Sequence, residues 1–418
     1  MSVTARPYDL VVWGATGVAG KLVVDYLTEE YTPSELALAI AGRNKNRLDA
    51  VRRDVVEKTE WNKLPVILGN AEDPESLEEM AEQTQVVCTT VGPYTKYGTP
   101  LVEACISTGT DYCDLTGEVN WIREMVDRYH DRAADADVRI IHSCGFDSVP
   151  ADLGTLLVQA FAIETYDRPC TIVRIYIEDG KGGISGGTLA SAVEVFKAVS
   201  ENPIARATLE NPYSLAPPDE RTGIDTGIQR MPQKDSITSE WTAPSPMAIV
   251  NERVIRRSNA LLEYPWGRDF QCSEVVPTGH GAEGALKAVI ITGGLAAGKA
   301  GLSIEPLRSA LQRFVFPDPG KGPTREETAR GSFTVRILGS GVSVDGPFSV
   351  QGRISADQGP GYGATARMVS EAAMCLVNNE IESPLSGGVL TPASGIGMPL
   401  SDRLQNAGLT VSVGQFNE

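Results

Sequence analysis

The chain has 418 residues, 42% of them hydrophobic and 22% charged, a balance that suits a folded protein with two or more cores and excludes wholesale disorder. Its 54 acidic side chains outnumber 37 basic ones and leave a net charge of −17 with no Lys/Arg cluster, which argues against binding to nucleic acid. Seven cysteines, an odd number without C-x-x-C spacing, and only three histidines argue against a disulfide framework or a zinc site.

The opening residues, 1–8, hold no apolar run of the secretory type, and the apolar stretch 288–298 is interrupted by Thr292, Gly293 and Gly294. These features predict a soluble, cytoplasmic, acidic protein.

In chain order, residues 8–13 form a short strand-like run that passes directly into Gly14-Ala15-Thr16-Gly17-Val18-Ala19-Gly20 and then a helical pattern over 17–31. Strand, glycine loop and helix together are the phosphate-binding opening of a Rossmann-type fold. Gly14 permits the tight turn, Gly17 lets the backbone approach a pyrophosphate, and Gly20 lets the helix pack closely on the strand. The leading amides of the helix, with Ala15, Thr16 and Val18 around them, then face the phosphates.

The next apolar run, 36–41, reads as a buried parallel strand. A dinucleotide site that prefers NAD places Asp or Glu just after this strand, whereas this chain has Gly42-Arg43-Asn44-Lys45. The Arg43 fork suits a ribose 2′-phosphate, so the cofactor predicted is NADP(H). The alternative is a solvated charge, which is disfavoured at a helix N-terminus without an anion.

Helices over 46–58, 74–83, 99–108 and 118–134 alternate with strands over 65–69, 85–91, 112–115 and 138–142 in a regular βα series. Topology carries Asn70 and Ala71 past an adenine ring, and Val91, Gly92, Pro93 and Tyr94 beside a nicotinamide. Ligands bind outside the carboxyl ends of such strands, which makes Asp114, Glu118 and Asp147 candidate substrate contacts. Tyr94 and Tyr97 are candidate proton donors, with Lys96 placed to lower a neighbouring phenol's pKa. Each of these residues also suits a capping, stacking or turn role.

After a helix over 151–162 the short βα units stop, and 171–179 reads as a longer strand of period two. The glycine-dense stretch 180–187 opens a helix over 188–200, and reads as a flexible turn in preference to a second anion site. Residues 202–246 show little periodicity and read as a lid over the substrate or a surface excursion, the lid being preferred. The Ala/Gly-rich run 281–302 reads as a tightly packed core helix, with a lipid-facing surface as the alternative. Residues 331–357 suggest antiparallel hairpins, and 361–378 a long helix with a glycine-rich start.

Several segments resemble the saccharopine dehydrogenase-like oxidoreductases, and within them the trans-acting enoyl reductase branch: Gly14-Ala15-Thr16-Gly17, Ala41-Gly42-Arg43, Val91-Gly92-Pro93-Tyr94 with Tyr97-Gly98, and Tyr112-Cys113-Asp114-Leu115-Thr116-Gly117-Glu118. Cys144-Gly145-Phe146-Asp147-Ser148-Val149-Pro150, Arg256-Arg257-Ser258-Asn259-Ala260-Leu261 and Gly388-Val389-Leu390-Thr391-Pro392-Ala393 continue it over nearly the full length. The resemblance implies an α/β protein: a Rossmann-type parallel-sheet domain (1–155), a second α+β domain on a mixed or antiparallel sheet (156–359), and a C-terminal segment (360–418) that returns to the first domain. Some members reduce C=C bonds of lipid or polyketide intermediates and others have no assigned chemistry; the expected reaction is NADPH-dependent reduction of a conjugated C=C bond in a small hydrophobic, lipid-like substrate. Peripheral membrane contact and a homodimer are further expectations. Two alternatives stay open: amino-acid chemistry of the saccharopine reductase type, for which Arg256-Arg257 is the only adjacent arginine pair well inside the second domain, and a non-catalytic NADPH-binding scaffold.

Overall fold

The computed structural model describes residues 6–181, 186–304 and 331–416. Six strands, β1 (Tyr8–Trp13), β2 (Leu38–Gly42), β3 (Val66–Leu68), β4 (Thr84–Thr89), β5 (Asp111–Asp114) and β6 (Arg139–Ile141), lie parallel in the order β3-β2-β1-β4-β5-β6. A seventh from far along the chain, β13 (Gly388–Leu390), pairs in parallel with β6. Strands β1 and β2 are apolar along almost their whole length because helices cover both sheet faces. The strand order reverses between β1 and β4, and that switch point opens a crevice at the carboxyl edge.

The covering helices follow the periodicity of their apolar residues. In α6 (Val119–Asp135), Trp121, Ile122, Met125, Val126, Tyr129 and Ala133 are buried at helical spacing. Helix α1 (Val18–Glu30) follows the glycine loop, and α2 (Lys45–Lys58) starts on an Asn44 cap whose side chain accepts from the Arg47 amide at 3.1 Å.

The second sheet is mixed. It orders β14 (Thr410–Gln415), β12 (Gly346–Ala356), β11 (Ser332–Ser343), β7 (Ile172–Lys181), β10 (Gln271–Gly279), β9 (Trp241–Pro244) and β8 (Gln233–Lys234), with only β7 and β10 parallel. Helix α7 (Val149–Tyr166) leaves β6 and packs on β11 and β12, which explains why it is buried on several faces. The last strands divide between the sheets, β13 extending the first and β14 edging the second.

Two expectations change. Residues 202–246 are built structure: α9 (Pro203–Glu210), a short 3-10 turn and strands β8 and β9. Three side chains from α10 (Ala248–Leu261) pin this segment. Arg253 donates to Asn211 O, Arg256 pairs with Asp225 at 2.6 Å, and Arg257 donates to Leu215 O. Polar anchors scattered through irregular chain leave no periodic trace, so the sequence alone reads as a lid or a surface excursion.

The run 281–302 is not a core helix. Helix α11 (Gly281–Ser303) lies against β9 and β10 while Leu286, Val289 and Ile290 are 60%, 56% and 63% exposed. Ala and Gly are small on every face, so periodicity could not say which side packs. Among the described residues this helix is long and apolar enough to cross a bilayer, with a mean hydropathy of 1.3 over Gly281–Leu302. The short apolar stretch seen in the sequence therefore understates it. The glycine-dense stretch 180–187 falls partly outside the described residues.

Candidate functional site

The glycine loop has the geometry its spacing predicts. Gly14 has φ +91, and a Cβ there would come within 2.6 Å of Val91 Cγ2 and 3.0 Å of Thr90 Oγ1, so only glycine fits. A Cβ on Gly20 would lie 2.1 Å from Gly14 O, which makes Gly20 the close-packing residue between helix and loop. Gly17 differs: its Cβ would meet only Gly14 O, at 3.3 Å. That position is open, as a backbone surface that receives a phosphate must be. Gly17 caps α1 without a side-chain acceptor, and no acidic residue occupies the first turn. The leading amides of Val18 and Ala19 are thus left for an anion, with Ala15 and Thr16 forming the turn before them.

Arg43 follows β2 at the same edge. It is exposed and, among the described residues, has no ion pair or hydrogen bond, so its guanidinium is available to a 2′-phosphate. Asn70 and Ala71 follow β3, where the Asn70 side chain accepts from the Glu72 amide at 3.2 Å and shapes the turn. Val91, Gly92 and Pro93 follow β4, beside Gly14. These residues fit an NADP-type dinucleotide laid across the switch point, with the glycine loop and α1 on its phosphates.

The other sequence candidates separate by what their polar atoms already do. Tyr94 is buried and stacked on Trp121 with ring centroids 5.4 Å apart. Its hydroxyl donates to Thr89 O and accepts from the Leu115 amide, both at 3.2 Å. Burial and then the nearby Asp114 charge push this phenol well above its ordinary pKa, so it is a poor acid held as a strut. Lys96 is 2.7 Å from Glu194 on α8 (Gly186–Glu201), and that ion pair engages the ammonium away from the two phenols it was expected to serve. Tyr97 is half-buried, and its hydroxyl makes no hydrogen bond among the described residues.

Glu118 accepts the Tyr94 and Thr95 amides at 2.8 and 2.9 Å and so fixes the turn that follows Pro93. Asp114 accepts from Tyr112 Oη at 2.9 Å and from the amides of Thr116 and Ser143, each at 3.0 Å, and lies 2.7 Å from His142 Nδ1. Both carboxylates are fully buried, and their bonding is that of loop organisers.

Asp147 stands apart. It follows β6 in the loop that reaches the second sheet, where Phe146 meets Phe333 of β11 edge to face at 4.8 Å. Its carboxyl has no hydrogen bond or ion pair among the described residues, and burial pushes it up to about 6. Behind it lie groups that no motif indicated. Glu274 of β10 accepts from Ser245 Oγ and Asn251 Nδ2, each at 2.5 Å, and Asn251 Oδ1 accepts from Ser148 Oγ at 2.8 Å. Burial raises Glu274 to about 7 against the two hydrogen bonds, and the charges of Glu252 and Asp147 add to the rise. The available signal was a carboxylate two residues from Cys272, on the buried side of an alternating strand.

Residues 10–141 match the family described as the saccharopine dehydrogenase NADP binding domain. Over 98% of both chains, the protein is 38% identical to a provisionally named trans-acting enoyl reductase of Mycobacterium tuberculosis. It is 35% identical to a second M. tuberculosis protein named trans-acting enoyl reductase, over 98% of this chain and 99% of that one. The chain belongs to the trans-acting enoyl reductase family. Kinship to this family, together with the matched NADP-binding domain, makes it an NADP(H)-dependent oxidoreductase. The fold is that of saccharopine dehydrogenase from Saccharomyces cerevisiae, with a TM-score of 0.56 across 98% of this chain and 100% of the yeast one at 13% identity.

Within the trans-acting enoyl reductase frame, the Arg256-Arg257 pair corrects the sequence reading. The two lie on helix α10, and both are buried. Arg256 is paired with Asp225 and Glu252, at 2.6 and 3.2 Å. Arg257 donates to Leu215 O and Val389 O, and burial lowers it to about 9. Neither guanidinium faces the crevice as an anchor for a carboxylate substrate, which removes the support for saccharopine-type chemistry.

Proposed function

We propose that the protein reduces a carbon–carbon double bond conjugated to a carbonyl, in a hydrophobic lipid-like substrate bound between the two sheets. Full-length kinship to proteins named enoyl reductases carries this reading. The crevice chemistry supports it: Leu115 and Phe146 are half-buried apolar groups at the carboxyl edge, and the arginines that could have anchored a dicarboxylate are engaged internally. When bound, NADPH supplies the hydride. The chain's part is to seat the pyrophosphate on Gly14, Gly17 and the start of α1, to read the 2′-phosphate with Arg43, and to hold the turn after Pro93 through Glu118. Tyr97 and Asp147 keep polar atoms free for substrate.

Incubation of the purified protein with NADPH and a cell lipid extract tests the reading. Products two hydrogens heavier, matched to NADPH consumed, are expected by mass spectrometry. Oxidation of NADPH without any such product counts against it.

The exposed apolar face of α11 supports peripheral contact with a lipid surface, from which a greasy substrate is collected. Leu286→Glu with Ile290→Glu then abolishes flotation with phosphatidylcholine vesicles. A concentration-dependent dimer that is lost in the same variant assigns the face to a second copy instead. Seven buried free thiols support a reducing compartment, the cytoplasm.

A further inference from the structure

We infer that Asp147 is the acid that delivers the proton in this reduction, with Glu274 and its Ser245–Asn251–Ser148 hydrogen bonds forming the polar backing that holds it in place. The inference rests on the enoyl-reductase reading above. Its starting point is position: Asp147 lies in the loop after β6, on the same carboxyl edge as the glycine loop and the Gly92-Pro93 turn, and keeps part of its surface exposed.

The second observation is what competes for each acid at that edge. Asp114 and Glu118 spend their oxygens on hydrogen bonds from loop amides. Tyr94 uses both sides of its hydroxyl inside the core. The Asp147 carboxyl alone among these four has no protein partner among the described residues, although enough protein encloses it to disfavour the charged form. A half-buried carboxyl that no protein group satisfies, on the ligand-facing edge of the sheet, is placed to use its proton on a bound molecule.

The third observation is the surroundings. Ser148, the next residue, is tied through Asn251 to Glu274, so the loop is held from the second sheet side. Glu252 accepts the Glu274 amide at 3.1 Å and pairs with Arg256, which in turn holds Asp225. These are the charged groups packed behind Asp147. Arg256 is already shared by two of these carboxylates, Asp225 and Glu252.

In the step itself the Asp147 O–H bond breaks and a C–H bond forms at the substrate's α-carbon as the β-carbon gains hydride. The carboxylate left behind is reprotonated from water. One NADPH and one proton are consumed for each double bond reduced.

Asp147→Asn is the test, read three ways on the full chain. Turnover of an enoyl substrate is expected to fall about 10²- to 10⁴-fold, as for loss of a general acid. The NADPH dissociation constant, from nicotinamide fluorescence, should stay within about twofold, and the melting temperature at pH 7.5 should hold or rise because a disfavoured buried charge is gone. Turnover within a factor of about three of wild type overturns the inference. So does a lower melting temperature with weakened NADPH binding, which would make Asp147 a structural residue. Loss of turnover in Tyr97→Phe with full turnover in Asp147→Asn transfers the role to Tyr97. A wild type that binds NADPH yet reduces no enoyl substrate instead overturns the underlying reading, and this inference with it.

Discussion

Asp152, in the first turn of α7, accepts a hydrogen bond from the amide of Ala393 at 2.9 Å, joining positions 241 residues apart in the chain. Its other oxygen accepts from Ser258 Oγ of α10, and Ser258 in turn lies 2.6 Å from Thr391 Oγ1. One buried carboxylate thus fastens the helix leaving the first sheet, the arginine-rich helix and the C-terminal return.

Replacing Asp152 with Ala leaves the buried Ala393 amide short of an acceptor, while Ser258 Oγ still has Val254 O at 3.1 Å. A loss of about 1–3 kcal/mol is expected for the unsatisfied amide. Urea unfolding checks this, and a midpoint equal to that of wild type would show that the junction does not depend on the carboxylate.

Gly17 and Gly20 should respond in opposite ways. Gly17→Val places its bulk where the pyrophosphate lies, with the nearest protein atom to its Cβ 3.3 Å away, so the fold survives and NADPH binding is lost. Gly20→Ala drives a Cβ to 2.1 Å from Gly14 O and must distort the loop or the helix. Circular dichroism with a fluorescence titration separates the two, and tight NADPH binding by Gly17→Val would contradict the loop's role.

Arg43→Ala should weaken NADPH binding by roughly 1.5–3 kcal/mol, the range for hydrogen bonds to charged groups, and leave NADH binding nearly unchanged. Calorimetric titration with both cofactors decides it. Equal losses for the two would show that Arg43 does not read the 2′-phosphate.

Stability should rise on acidification from pH 7.5 to about 5.5. Asp147 and Asp152 are raised by burial from 3.8 to about 6, and Glu274 from 4.5 to about 7. An acid whose pKa is higher in the folded state binds more protons there than when unfolded, so its cost is absent below the unfolded pKa and grows as pH climbs to the folded one. A calorimetric melting temperature that stays flat or falls over this window would refute the assignment, and Asp147→Asn should reduce the slope.

The first sheet was legible because its signals are local. Alternating apolar runs, helical spacing and turn glycines between Tyr8 and Ile141 fix each strand and each longer helix to within a few residues, the one-turn helix Tyr94–Tyr97 excepted, and the strand order follows from the βα rule. The tight turn at Gly14 and the close approach at Gly20 were legible for the same reason, since both depend on the adjoining strand and helix. What the sequence hid depends on partners distant in the chain. Nothing near Glu274 announces Ser245 or Asn251, and nothing near Tyr94 shows that its hydroxyl is held by Thr89 and Leu115. Helix α11 misled because a segment of Ala and Gly has no face to read.

The pairing of β13 with β6 has a consequence for how the protein is made. Strand β6 ends at Ile141 and its neighbour β13 begins at Gly388. At synthesis rates of about 5–20 residues per second, the partner leaves the ribosome tens of seconds after β6 does. Through that interval the nascent chain carries an open row of backbone amides and carbonyls along β6, a template for pairing with another chain. Newly made protein is therefore most prone to aggregate late in translation, and chaperone capture should be greatest for ribosome-bound chains arrested between positions 141 and 388.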